Sequence, residues 1–255
     1  MKIIISIMTL LLSSSVYASG GFTWLHGVTQ ATGLKEHTIT FLFTSVLFIV
    51  GGLLFRVKTK SLSKSVVPDK GVTYRNLVEF IGDFVYGQAK ATMGDKNAKT
   101  YFPLLVFYFS FIFLNNLIGL VPGFLPPTEN FNTGLALGIL IFIYYNAQGI
   151  KVQGIVGHIK HLMGPLLFMA PLIFVLEVIS HAMRPLTLGL RIRGNMLGDH
   201  TVLAIFSDLV PYLVPIPFYC LGLFVCFMQA FVFTLLTMIY IAMAVETHDH
   251  EEHAH

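Results

Sequence analysis

Charge is scarce in this chain. Of its 255 residues, 16 are Lys or Arg and 13 are Asp or Glu, 11% together, against about 25% in a soluble domain. With a mean hydropathy of +0.75, a water-soluble globule is excluded and an integral membrane protein is implied. The small net charge of +3 lacks the basic footprint of a nucleic-acid binder. Only two cysteines are present, Cys220 and Cys226, both in an apolar stretch where thiols act as small hydrophobes, so neither a disulfide nor a metal site is expected. Phosphate-binding loops and nucleophile elbows are missing too, and no cofactor is called for. No internal repeat is visible, which counts against a transporter built from inverted repeats. The apolar runs also lack period-2 alternation, and this favours helices over a barrel.

Long apolar runs are what the chain has in abundance. "MKIIISIMTLLLSSSVYA" carries a lysine, an apolar stretch and a small-residue exit at Val16, Tyr17 and Ala18, the pattern of a signal peptide over 1–18. An uncleaved apolar helix is the alternative; either way 19–255 reads as one membrane domain whose first residues lie outside the cytoplasm. The run 37–55 is long enough to cross a hydrocarbon core of roughly 30 Å. Arg56, Lys58, Lys60, Lys64 and Lys70 follow it and mark a cytoplasmic loop under the positive-inside rule. Over 72–96, Val72, Leu77, Phe80, Ile81, Phe84 and Val85 recur at helical spacing opposite Arg75, Glu79 and Asp83. This predicts an amphipathic helix lying on the cytoplasmic surface as a packing element.

A second span, 102–120, ends in "NNLIGLVPGFLPPTEN", a loop without Lys or Arg that should face outward. The third, 132–148, returns to Lys151 and Lys160 inside. Residues 165–206 then run for about forty residues without a convincing loop; at about 1.5 Å each they would reach about 60 Å, twice the core thickness, so the segment must tilt steeply or break. Residues 218–245 are also long, and 165–245 is therefore expected to form a tilted helical hairpin. The His-rich tail 246–255 reads as solvated and cytoplasmic, since nothing in it sets a ligand geometry. The expected fold is all-α and polytopic, with about five transmembrane segments plus an amphipathic surface helix.

The fourth of these segments holds charge where charge is expensive. At about 100° per residue, Glu177, His181, Arg184, Arg191, Asn195 and Asp199 gather within a sector of about 80°, with Arg193 and His200 nearly opposite. Pro185 removes a hydrogen bond to the His181 carbonyl and is expected to kink the stripe. Each charge at mid-membrane depth costs about 2.5 to 3.5 kcal/mol on insertion scales, so such residues mark an ion path or a salt-bridge network that stitches helices together. Glu177 can pair with His181 or Arg184 at helical spacing. An arginine there is a fixed positive field that never carries the proton itself. Three readings follow from the residues: an ion-conducting subunit, a secondary transporter or antiporter whose charged site binds substrate, and a membrane scaffold.

"PLTLGLRIRGNMLGDH", "NNLIGLVPG" and "FMQAFVFTLLTMIYIAMA" together resemble the subunit a family of F-type rotary ATP synthases, over nearly the whole chain from about residue 37. The resemblance implies a stator subunit without catalytic chemistry, which passes protons to a ring of c subunits and assembles with peripheral-stalk b subunits and lipid in a bacterial-type inner membrane. It places Arg191 as the essential arginine facing the ring carboxylates, Asn195 as a polar residue one turn beyond, and Gln229 as the glutamine that approaches the arginine from the last helix. Glu177 matches an acidic position of one half-channel, His200 a relay position, and Asn116 the asparagine near the outer end of the second span. His181 joins the set through the stripe. Arg193 departs from the family, where an uncharged residue is common, and Gly222 stands where some members have His or Glu. Asp199 with His200 is expected to supply the relay that Gly222 cannot.

Overall fold

The structure, a computed structural model, describes residues 26–59, 73–121, 123–163, 170–209 and 215–245. The signal-like segment 1–18 and the tail 246–255 lie outside the described residues. Among the described residues six α-helices succeed one another: α1 (His26–Thr32), α2 (Glu36–Lys58), α3 (Tyr74–Gly119), α4 (Phe131–Met163), α5 (Ala170–Leu209) and α6 (Pro215–Val245), with a 3₁₀ turn at Pro127–Glu129 between α3 and α4. Five of them, α2 to α6, are long and apolar enough to cross a membrane. There is no strand among the described residues.

α3 and α4 each join two helical stretches, and a glycine makes the joint in both. Gly94 (φ 76, ψ 165) in α3 and Gly154 (φ 72, ψ 167) in α4 adopt backbone conformations closed to residues with a Cβ. The amphipathic segment and the second span are therefore two helices that meet at a kink at Gly94, where the helix expected over 72–96 ends. Asp95 braces the kink, accepting hydrogen bonds from Tyr86 (3.0 Å) and Lys99 (2.7 Å), with Lys90 3.4 Å away. The apolar face expected over 72–96 also splits. Ile81, Phe84, Val85, Ala89 and Met93 pack on the core, whereas Leu77 and Phe80 point outward, Phe80 with 70% of its surface exposed. Arg75, expected on the polar side, is buried and donates to Glu79 at 2.7 Å. The helix meets the bundle along one row at i, i+4 spacing, which leaves Leu77 and Phe80 uncovered.

The expected break or steep tilt of the fourth span is settled in favour of continuity. α5 runs unbroken for 40 residues through Pro185; a helix of that length spans about 60 Å and crosses a core of roughly 30 Å only if steeply inclined. α6 opens with Pro215 and Pro217 in its first turn, where a missing N–H costs no helical hydrogen bond.

Without a hydrophobic force between helices in lipid, close packing and interhelical hydrogen bonds hold the bundle. Aromatic rings knit α3 to α6: Phe84 lies 5.6 Å from both Phe227 and Phe231, Phe109 5.8 Å from Phe227, and Tyr108 6.0 Å from Phe233. Thr44 ties α2 to α3 by donating to Asn115 Oδ1 at 2.8 Å. The tightest crossing joins α4 to α5, where Gly134 and Gly138 face Pro185 and Gly189. A Cβ added at Gly138 would stand 2.7 Å from the Pro185 carbonyl oxygen, and one at Gly189 would stand 2.9 Å from the Leu135 backbone nitrogen. This small-xxx-small contact brings backbones together two residues before Arg191 and so sets the height at which α5 presents its arginines.

Candidate functional site

α5 carries the polar residues and its neighbours decide what each one meets. From Asp199 back to Glu177 the line covers 22 residues of helix, roughly 33 Å at about 1.5 Å per residue. One turn before Asp199, Asn195 reaches across to α6 and its Nδ2 donates to Gln229 Oε1 at 2.5 Å. Gln229 is buried, and its Nε2 has no hydrogen-bond partner among the described residues. Arg191, one turn away, is exposed on the face of α5 that the chain leaves uncovered, and no described residue pairs with it. The structure thus joins Gln229 to Asn195 rather than to the arginine.

Towards the end of α5, the Asp199 carboxylate packs against Gly222. A Cβ there would stand 2.8 Å from Asp199 Oδ2 and 2.6 Å from Leu120 Cδ2. Gly222 is the residue that leaves room for this carboxylate, so the two helices exchange an acidic group for a side chain that α6 lacks. Leu120 follows Asn116 by one helical turn. Asn116 is fully buried, accepts a hydrogen bond from Thr128 at 2.8 Å and has an Nδ2 with no partner among the described residues. The buried, unpaired amides of Asn116 and Gln229 would each cost about 1 to 3 kcal/mol in a dry interior; a path that passes water or protons is the setting in which such groups are tolerated. His200 belongs to the same helix, but its side chain lies outside the described residues.

The other end of the line is a clustered charge network. Glu177 Oε1 accepts a hydrogen bond from Arg184 at 3.4 Å and lies 3.2 Å from His181 Nδ1, an atom that makes no hydrogen bond among the described residues. The Arg184 guanidinium sits 4.8 Å over the Tyr240 ring and 5.9 Å from that of Tyr145, a stacked position that suits arginine. Tyr145 and Tyr240 come from α4 and α6, so one cation binds three helices while holding the carboxylate of Glu177.

Several members of the site carried no signal of their own in the sequence. Thr128 is buried beside Asn116, yet it reads as one polar letter in a Pro-rich loop. The tyrosines around Arg184 looked like ordinary aromatics of their spans. On α5 itself, partners within two turns of one another were legible.

The fold defines a class, polytopic helical membrane proteins, here with a line of cations, carboxylates, imidazole and buried amides along one crossing helix. Comparison with known proteins gives the family. The ATP synthase A chain family profile matches residues 38–242. Among curated relatives, "ATP synthase subunit a" of Bdellovibrio bacteriovorus is 44% identical over 229 residues, covering 90% of this chain and 99% of the relative. "ATP synthase subunit a 1" of Pelobacter propionicus is 49% identical over 172 residues, covering 68% and 74%. "ATP synthase subunit a" of Sorangium cellulosum is 40% identical over 228 residues, covering 86% and 89%. The chain belongs to the ATP synthase A chain family.

Proposed function

We propose that this chain is the non-catalytic, proton-translocating subunit a of an ATP synthase, and that Arg191 is the fixed charge separating its two half-paths. The observation that carries this reading is the placement of Arg191: exposed, unpaired among the described residues, and on the uncovered face of an unbroken helix whose neighbouring polar groups are already engaged. Such a cation awaits a partner from another subunit. A ring of small c subunits, each with an intramembrane carboxylate, fits it. In lipid that carboxylate stays protonated. Within about 4 Å of a guanidinium, at an effective dielectric near 20, it gains about 4 kcal/mol in its ionised form, about a thousandfold change in proton affinity, and the proton leaves.

Asn116, Asp199 and His200 then serve one half-path, and Glu177 with His181 the other, with Asn195 and Gln229 lining the approach to Arg191. The hairpin of α5 and α6 is the ion path. Peripheral-stalk b subunits hold the chain against rotation in a bacterial inner membrane, with the N-terminus outside and the C-terminus cytoplasmic. The transmembrane potential supplies about 2.3 kcal/mol per charge per 100 mV.

The test is proton movement in inverted membrane vesicles carrying Arg191→Ala, scored for ATP-driven pumping and for passive leak, with assembly checked by co-purification. Coupled pumping should disappear, at least tenfold down, while the complex still assembles. Pumping near the wild-type level would remove Arg191 from the gate.

A further inference from the structure

Arg193, the arginine that the proton path does not use, opens onto a cavity of about 430 Å³ lined by Lys35, His37, Glu129, Asn130, Phe131 and Leu197. The volume falls in the lower part of the about 300 to 1,000 Å³ range of small-molecule sites. Three separate elements meet there: the start of α2, the turn before α4 and the middle of α5. At about 100° per residue, Arg193 lies about 160° round α5 from Arg191, so this cavity opens away from the face left for a ring.

Its chemistry is mixed. Two fixed cations, Lys35 and Arg193, share the cavity with one carboxylate, Glu129, and no ion pair joins any of the three to another described residue. His37 Nδ1 is buried with no hydrogen-bond partner among the described residues. Leu190 and Leu197, one turn to either side of Arg193, are 50% and 47% exposed. Polar groups of both signs thus stand beside an uncovered apolar strip on a membrane-spanning helix.

We propose that this cavity seats the headgroup of a membrane phospholipid bearing a phosphate and a primary ammonium, as phosphatidylethanolamine does. Arg193 forks onto the phosphate oxygens, Lys35 adds a second charge, and Glu129 accepts from the ammonium N–H groups. An acyl chain lies along Leu190 and Leu197. A purely anionic headgroup would leave Glu129 facing phosphate, and a quaternary choline would offer that carboxylate no N–H donor.

The intact complex, purified into nanodiscs holding equal amounts of phosphatidylethanolamine, phosphatidylglycerol and phosphatidylcholine, is released into detergent and its retained lipids are counted by native mass spectrometry. The wild type should retain phosphatidylethanolamine at least threefold over the others. Arg193→Gln should lower that retention at least fivefold, and Glu129→Gln should shift the preference to phosphatidylglycerol. If Arg193→Gln fails to assemble, Lys35→Gln reports on the same phosphate contact. Equal retention by wild type and Arg193→Gln overturns the proposal, as does a wild-type preference for phosphatidylglycerol. Displacement of every lipid class alike by millimolar inorganic phosphate would make the ligand a free anion and overturn it too. Lipid retention is read without proton flux, so this result and that for Arg191 stand apart.

Discussion

α3 and α6 are each 44% buried within their most apolar windows, whereas α5 is only 17% buried. The first pair is locked by rings, and α6 satisfies its buried hydroxyls within itself, Thr234 donating to the Ala230 carbonyl at 2.8 Å and Thr237 to the Phe233 carbonyl at 2.9 Å. α5 touches its neighbours along a narrow line and leaves the rest bare. Low coverage alone does not mark function, because α2 is also 17% buried. The uncovered side of α2 is apolar, with Val46, Ile49, Leu53 and Leu54 all more than half exposed, and lipid completes it. The uncovered side of α5 carries Arg191 and Asn195, and lipid tails cannot complete that. The same burial therefore has two meanings, and the chemistry of the exposed side chains separates them.

The contrast breaks most readily where the two regions are fastened together. Gly138→Leu would drive a side chain into the Pro185 backbone. Overpacking costs about 1 to 3 kcal/mol, and the neighbour here is backbone that cannot rotate away, so the yield of assembled complex should fall sharply along with its thermal midpoint in detergent. An unchanged midpoint would show that α4 and α5 do not cross this closely. Along the polar line of α5 the expected effect is on flux alone. Asp199→Asn keeps the shape beside Gly222 and removes the exchangeable charge; passive proton conduction should drop about tenfold, equivalent to about 1.4 kcal/mol of barrier, with assembly intact. Undiminished conduction would take Asp199 out of the relay. The smallest effect belongs to the packed side. Thr44→Val deletes one interhelical hydrogen bond to Asn115, which still donates to the Phe111 carbonyl at 2.7 Å. Membrane hydrogen bonds of this kind average about 0.6 kcal/mol, so the thermal midpoint should fall slightly and proton conduction should not change. A larger loss of conduction than of stability would move Thr44 to the functional side of the comparison.

Much of the helical plan was legible because membrane thermodynamics acts on consecutive residues: a run of about 20 apolar side chains declares a span wherever it occurs. The ends of those helices were less so. α3 and α4 each hold two helical stretches that meet where a glycine at positive φ turns the chain, and a glycine letter does not disclose its φ. The charged stripe on α5 was visible from its own period, as was the nearness of Glu177 to His181 and Arg184, since all three lie on one helix within two turns. Arg75 was misplaced for the opposite reason: the side of an amphipathic helix that is buried depends on where the bundle touches it.

The sequence by itself determined the class of environment, the number of crossing helices, the polar face of α5 and the family, because each depends on composition, on local period or on matching residue order. Only the tertiary structure decided that Asn195 would spend its amide on Gln229, that Gly222 would make room for Asp199, that Thr128 would satisfy Asn116, and that Arg193 would share a cavity with Lys35 and Glu129. Those contacts join residues separated by 12 to 158 positions along the chain. Their geometry follows from how closely helices approach, which small residues such as Gly134, Gly138 and Gly189 set through the absence of a side chain.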